Sequence, residues 1–141
     1  MNIRRTTAAL AAIGLALSLS LTACSSSPDT QEANAAFCEG AAKVQTEVDK
    51  LSSLIDAGSP SEVVKTQWNA VQSAVQANSV PLSQLDEAVQ DDVTAASDTF
   101  KQAIEAIPED ATPAEAAPQY KAAIDAYNTS ISAINAEVGC S

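Results

Sequence analysis

Apolar residues recur at spacings of three and four from about Asn34 to Gly139, and no period-two alternation is long enough for a strand. The pattern predicts an all-α domain. A first helix carries Phe37, Ala41, Val44, Val48, Leu51 and Ile55 on one face and stops at Ala57-Gly58, where glycine suits a left-handed cap. A second carries Val64, Trp68, Val71 and Val75, with Ser59 as expected N-cap, Pro60 at the first helical position and Glu62 completing a capping box. A third, the longest, carries Leu82, Leu85, Val89, Val93, Ala96, Phe100, Ala103 and Ile107 between Pro81 and Pro108. The fourth opens on Thr112, Pro113 and Glu115 in the same capping pattern and carries Tyr120, Ile124, Tyr127, Ile131, Ile134 and Val138 up to Gly139. Pro118 lacks a backbone donor inside its first turns, which predicts a kink there or a start deferred to Pro118.

Short connections force neighbouring helices to reverse direction, so the expected architecture is an antiparallel up-and-down four-helix bundle. Three helices with a docked segment is the rival, because Val80-Pro81 follows the second helix closely. In the four-helix topology the start of the first helix and the end of the fourth lie at the same end. Cys38 and Cys140 stand at those two places, and an even pair in an oxidising compartment suggests a disulfide that closes the bundle.

Ahead of the helices, Met1 to Arg5 is basic, Ala8 to Leu21 is apolar, and small residues precede Cys24, the layout of an export signal. The apolar run is shorter than the roughly 20 residues a spanning helix needs, and Ser18, Ser20 and Thr22 interrupt it. Leu21-Thr22-Ala23-Cys24 resembles the lipobox of bacterial lipoproteins. That resemblance implies cleavage before Cys24, a diacylglyceryl group on its thiol, and residence on the extracytoplasmic face of the cell membrane. The alanine-rich remainder is similar in composition to small envelope lipoproteins of actinobacteria. The implied division is a signal peptide over 1–23, a lipidated N-terminus and polar tether over 24–33, and the bundle over 34–141, although Asp29 with Glu32 offers an earlier helix start. The disulfide and the Asn78 to Pro81 loop then face the membrane, and the loops around Gly58-Ser59 and Pro108 to Pro113 point outward.

Loss of Arg4 and Arg5 with the leader leaves five lysines against eighteen acidic residues, a net charge of −13. That excludes nucleic acid, which needs a basic footprint, and electrostatic docking to anionic head groups, so the acyl chains do the anchoring. The chain has no histidine, which removes serine–histidine and cysteine–histidine dyads and the commonest metal ligand. No glycine-rich phosphate loop, EF-hand spacing or paired-cysteine metal motif is present. Two-carboxylate chemistry would need a cleft with sugar-binding aromatics, and only five aromatic residues exist to line one. These absences point away from an enzyme and from any cofactor.

Among the acids, Asp56, Glu62, Glu109, Asp110 and Glu115 are expected at the outward end, where converging carboxylates could hold calcium. Glu62 and Glu115 already have capping roles, and the rest can remain in water. Glu87 and Asp91 lie one turn apart, a solvated face or a docking surface for a basic envelope partner. Trp68 falls on the core stripe of its helix, and Tyr120 and Tyr127 fit a core boundary or a groove. The alanine content leaves little volume for an internal ligand unless the helices splay around Trp68, Phe100 and Tyr127. The sequence therefore supports a tethered, non-catalytic envelope scaffold, with small-molecule or cation binding as the alternative.

Overall fold

The computed structural model describes residues 28–140, and the expected leader, lipobox and lipidated Cys24 lie outside the described residues. Four long helices, α1 (Pro28–Asp56), α2 (Ser61–Ala77), α4 (Glu87–Glu105) and α5 (Pro113–Val138), are joined by short connections, with one short turn of helix, α3 (Ser79–Leu82), between α2 and α4. The described residues contain no strand. The expected all-α bundle is what the chain forms.

The α1 stripe from Phe37 to Ile55 is buried at every one of its six positions, and Val48 and Leu51 are fully enclosed. Residues with this repeat keep one face on the core over the whole helix. The helix also begins earlier than the Asn34 boundary, at Pro28, and adds Ala33 to the buried face, so residues 28–33 are helical rather than tether. Its end is closed by a left-handed Gly58 (φ 64°). The Gly58 N–H donates to the Ile55 carbonyl and the Ser59 N–H to that of Leu54, both at 3.0 Å, which satisfies two otherwise orphaned acceptors.

That closure explains why the expected capping box at Ser59 is absent. Its backbone N–H, which Glu62 would have to engage, is already committed to Leu54. Pro60 is extended instead (ψ 147°), and α2 begins at Ser61 without a side-chain cap. At α5 nothing competes, and the box forms in full: Thr112 N–H and Oγ1 donate to Glu115 Oε2 at 3.0 and 2.7 Å, while the Glu115 N–H donates back to Thr112 Oγ1 at 3.4 Å. The helix then runs through Pro118, which lies on its exposed side.

The expected third helix is broken. A single turn, α3, follows α2 directly, the chain passes through turns at 83–85, and α4 starts at Glu87 after an extended Asp86. Polar side chains stabilise the break locally: Ser83 Oγ donates back to the Val80 carbonyl at 2.8 Å, and Gln90 Nε2 donates to the Leu85 carbonyl at 2.7 Å. Leu82 and Leu85, assigned to the stripe, are only half-buried.

Contacts between helices run in opposite senses along the chain, as an up-and-down bundle requires. Along α1 and α5, Cys38 meets Cys140, Gln45 meets Asn128 and Asp56 meets Lys121. Along α1 and α2, Gln67 Nε2 donates to the Glu47 carbonyl and carboxylate at 3.0 and 2.8 Å. Left-handed Gly139 turns the chain back at the end of α5, and the Cys38–Cys140 disulfide forms with the two Cα atoms 5.4 Å apart. Asn34 Nδ2 donates to the Val138 carbonyl at 3.1 Å, so α1 caps the last turn of α5 beside the disulfide. Among the described residues no helix is long and apolar enough to cross a membrane.

Candidate functional site

The bundle is not equally tight on all sides. α1 packs against α2 and α5, and α4 packs against α5, but α2 and α4 do not lie close along their lengths. Their facing positions carry small or polar side chains, among them Gln72, Gln76, Ser97 and Asp98. One bulky contact bridges them. Trp68 meets Phe100 edge to face at 5.1 Å, and Phe100 stacks on Tyr127 of α5 at 4.6 Å. This aromatic trio ties the three helices together at mid-height and leaves a seam on either side of it. It is the splayed arrangement around Trp68, Phe100 and Tyr127 that the sequence allowed only as an exception.

Toward the disulfide end the seam deepens into a cavity of about 240 Å³, walled by Phe37, Val44, Val75, Leu82, Val93 and Ile131. Its polar lining includes Gln45, Asn78, Ser97 and Asp98. A more open cavity of about 490 Å³ adjoins it beside Trp68 and shares Val75, Gln76, Ser97, Asp98 and Tyr127. A third, of about 460 Å³, continues past Trp68 to Lys65, Glu109 and Tyr120 at the other end of the seam.

Tyr127 forms part of the floor. It is only 5% exposed, and burial pushes its hydroxyl up to about 12, partly offset by a hydrogen bond with Ser97. The phenol is therefore neutral across the physiological range and cannot serve as a base for the Ser97 hydroxyl. The inner cavity offers an apolar bed with carboxamides, hydroxyls and one carboxylate, Asp98, among its lining residues.

Of the residues singled out from sequence, Cys24 lies outside the described residues, and Cys38 and Cys140 are joined. The outward acids do not gather. Asp56 pairs with Lys121 Nζ at 2.6 Å, Glu109 lies 3.6 Å from Lys65 Nζ, and Glu115 is held in its capping box, where hydrogen bonds from Thr112 keep its carboxyl below the ordinary range. Lysines from two other helices draw Asp56 and Glu109 in different directions, and Asp110 is exposed. No group of three carboxylate or cysteine side chains among the described residues is arranged to hold a metal ion, so the expected convergence of Asp56, Glu109 and Asp110 is corrected. Glu87 and Asp91 are exposed at the start of α4 and do not line the seam cavities.

Sequence reasoning missed Asn78, Ser97 and Asp98. A signal existed for Ser97, a polar residue in the core register between Val93 and Phe100. None existed for Asn78, which reads as an ordinary loop residue. No protein-family model, curated protein or solved structure matches this chain.

Proposed function

We propose that this chain is a lipid-anchored envelope protein of the extracytoplasmic membrane face that acts by binding rather than catalysis, and that what it binds sits in the α2–α4 seam. The anchor rests on the lipobox Leu21 to Cys24 and the basic-then-apolar leader before it. Two acyl chains, at about 0.8 kcal/mol per buried CH₂, make such a tether durable. The observation that carries the binding role is the aromatic-bridged seam, whose inner cavity combines an apolar wall with edge polar groups. A tightly packed core with only a flat acidic face would favour a scaffold instead. That second reading keeps one specific support, the exposed Asp86, Glu87, Asp91 and Asp92 at the start of α4, which suits a basic protein partner.

Native mass spectrometry of the full-length protein, taken gently from its own membranes, tests the proposal. The expected species is a diacylated chain beginning at Cys24, two hydrogens light for the disulfide, carrying a discrete small added mass. Release of Cys24→Ala from the membrane fraction is expected in parallel. A chain without lipid retires the anchor, and a companion polypeptide in place of a small mass favours the scaffold reading.

A further inference from the structure

The geometry points to a ligand site in the inner seam that takes a protonated amine on a compact apolar body, with Asp98 as its counter-ion and Asn78 as its buried hydrogen-bond partner. This inference rests on the reading of the seam as the binding surface and adds the class of ligand.

Size and wall chemistry set the apolar part. A buried apolar cavity of about 150 Å³ accepts benzene, and the inner cavity is larger, at about 240 Å³. Its wall of Phe37, Val44, Val75 and Ile131 suits one ring or a short branched chain. Tyr127 borders both cavities and the half-buried Trp68 borders the mouth, and aromatic rings near a bound cation favour it.

Charge selects the polar part. Asp98 is the one charged side chain lining the inner cavity, and it also lines the outer one, so it stands where the two meet. Among the described residues it forms no ion pair. The one cation of the outer cavity, Lys101, lies 3.9 Å from Glu105, one turn further along its own helix. A carboxylate or phosphate ligand would meet an unneutralised carboxylate in a strongly acidic domain. An ammonium group would find a charge-assisted partner there.

Asn78 is the independent observation. It is only 8% exposed, its carboxamide oxygen is enclosed without a hydrogen-bond partner, and the residue lines the inner cavity. Buried polar groups in native proteins are nearly always paired, because an unmet one costs its full desolvation. The oxygen lies against Gly40 of α1, so the acceptor reaches an N–H donor in the cavity only after a half-turn of the carboxamide that exchanges its oxygen and nitrogen ends.

The test uses the mature lipidated chain in phosphatidylcholine liposomes and three probes matched in shape: phenethylamine, phenethyl alcohol and hydrocinnamate. Trp68, the sole tryptophan, reports occupancy by its fluorescence. Saturable binding of phenethylamine is expected, with hydrocinnamate at least about tenfold weaker, as loss of a charge-assisted hydrogen bond implies. Asp98→Asn, at an exposed position, should weaken the amine by a similar factor and leave phenethyl alcohol unchanged. If all three probes bind equally and Asp98→Asn has no effect, the amine assignment is overturned while the seam survives as a binding surface. If none gives a saturable change, both fail.

Discussion

The carboxamide of Asn78, at the end of α2, occupies the space that a Cβ on Gly40 of α1 would need. Glycine inside a helix ordinarily costs about 1 kcal/mol relative to alanine, so Gly40 is explained by this close approach and not by local preference. Gly40→Ala should therefore destabilise, by about 1–3 kcal/mol as overpacked sites do. In an Asn78→Ala background the same substitution should become neutral or stabilising. Urea denaturation of the four members of this cycle measures the coupling, and a stabilised Gly40→Ala single variant would contradict the contact.

The two capping patterns, alike in sequence and different in structure, separate cleanly by mutation. Thr112→Ala should cost about 1 kcal/mol, the usual value of an N-cap. Ser59→Ala should fall within about 0.5 kcal/mol of wild type, because no side-chain cap exists at the start of α2. Thermal denaturation of both variants decides the point, and equal losses would mean that the Ser59 box forms after all.

Tyr127 makes stability fall at high pH. Its hydroxyl is raised to about 12 in the folded chain from the ordinary 10.0. Above pH 10 the unfolded phenol gives up its proton while the folded one keeps it, so the unfolded state is progressively favoured. The contribution is fully present below pH 10 and is lost as pH rises through about 12, an effect of about 2–3 kcal/mol. Wild type should lose stability more steeply than Tyr127→Phe across this window, and parallel curves from chemical denaturation would count against the buried phenol.

Opening the disulfide should be the costliest single change at its end of the bundle. Cys38 and Cys140 are 102 residues apart in sequence, and a loop of that size is worth up to about 4.7 kcal/mol in the chain-entropy model. Reduction, or the double Cys38→Ser, Cys140→Ser variant, should lower the unfolding free energy by about 3–4 kcal/mol. Hydrogen exchange should show the last turn of α5 fraying first, since the Asn34 cap on Val138 lies beside the bridge. Unchanged protection there would show that the cap holds α5 without the disulfide.

Much of this fold was legible because its determinants are local. The stripes of α1 and α5, the capping box at Thr112, the glycine stops at Gly58 and Gly139 and the placing of Cys38 opposite Cys140 all follow from periodicity and cap chemistry within a few turns. The break at 83–86 was hidden because the apolar spacing continues across it. Only the structure shows that the side chains of Ser83 and Gln90 donate to the carbonyls of Val80 and Leu85 at the break.

The candidate site divides in the same way. The sequence by itself determined a helical, acidic, histidine-free chain, which bounds the chemistry, and carries a Leu21 to Cys24 motif that resembles a lipobox. Tertiary structure decided that α2 and α4 stand apart, that Trp68, Phe100 and Tyr127 bridge the gap, and that Ser97, Asp98 and Asn78 share a cavity. It also decided that lysines from other helices draw off Asp56 and Glu109 instead of letting the acids converge. These outcomes depend on distances between residues far apart in the chain, set by how helices of unequal side-chain bulk can pack. A one-dimensional pattern carries the face each residue takes, but not the gap that opens when two small, polar faces meet.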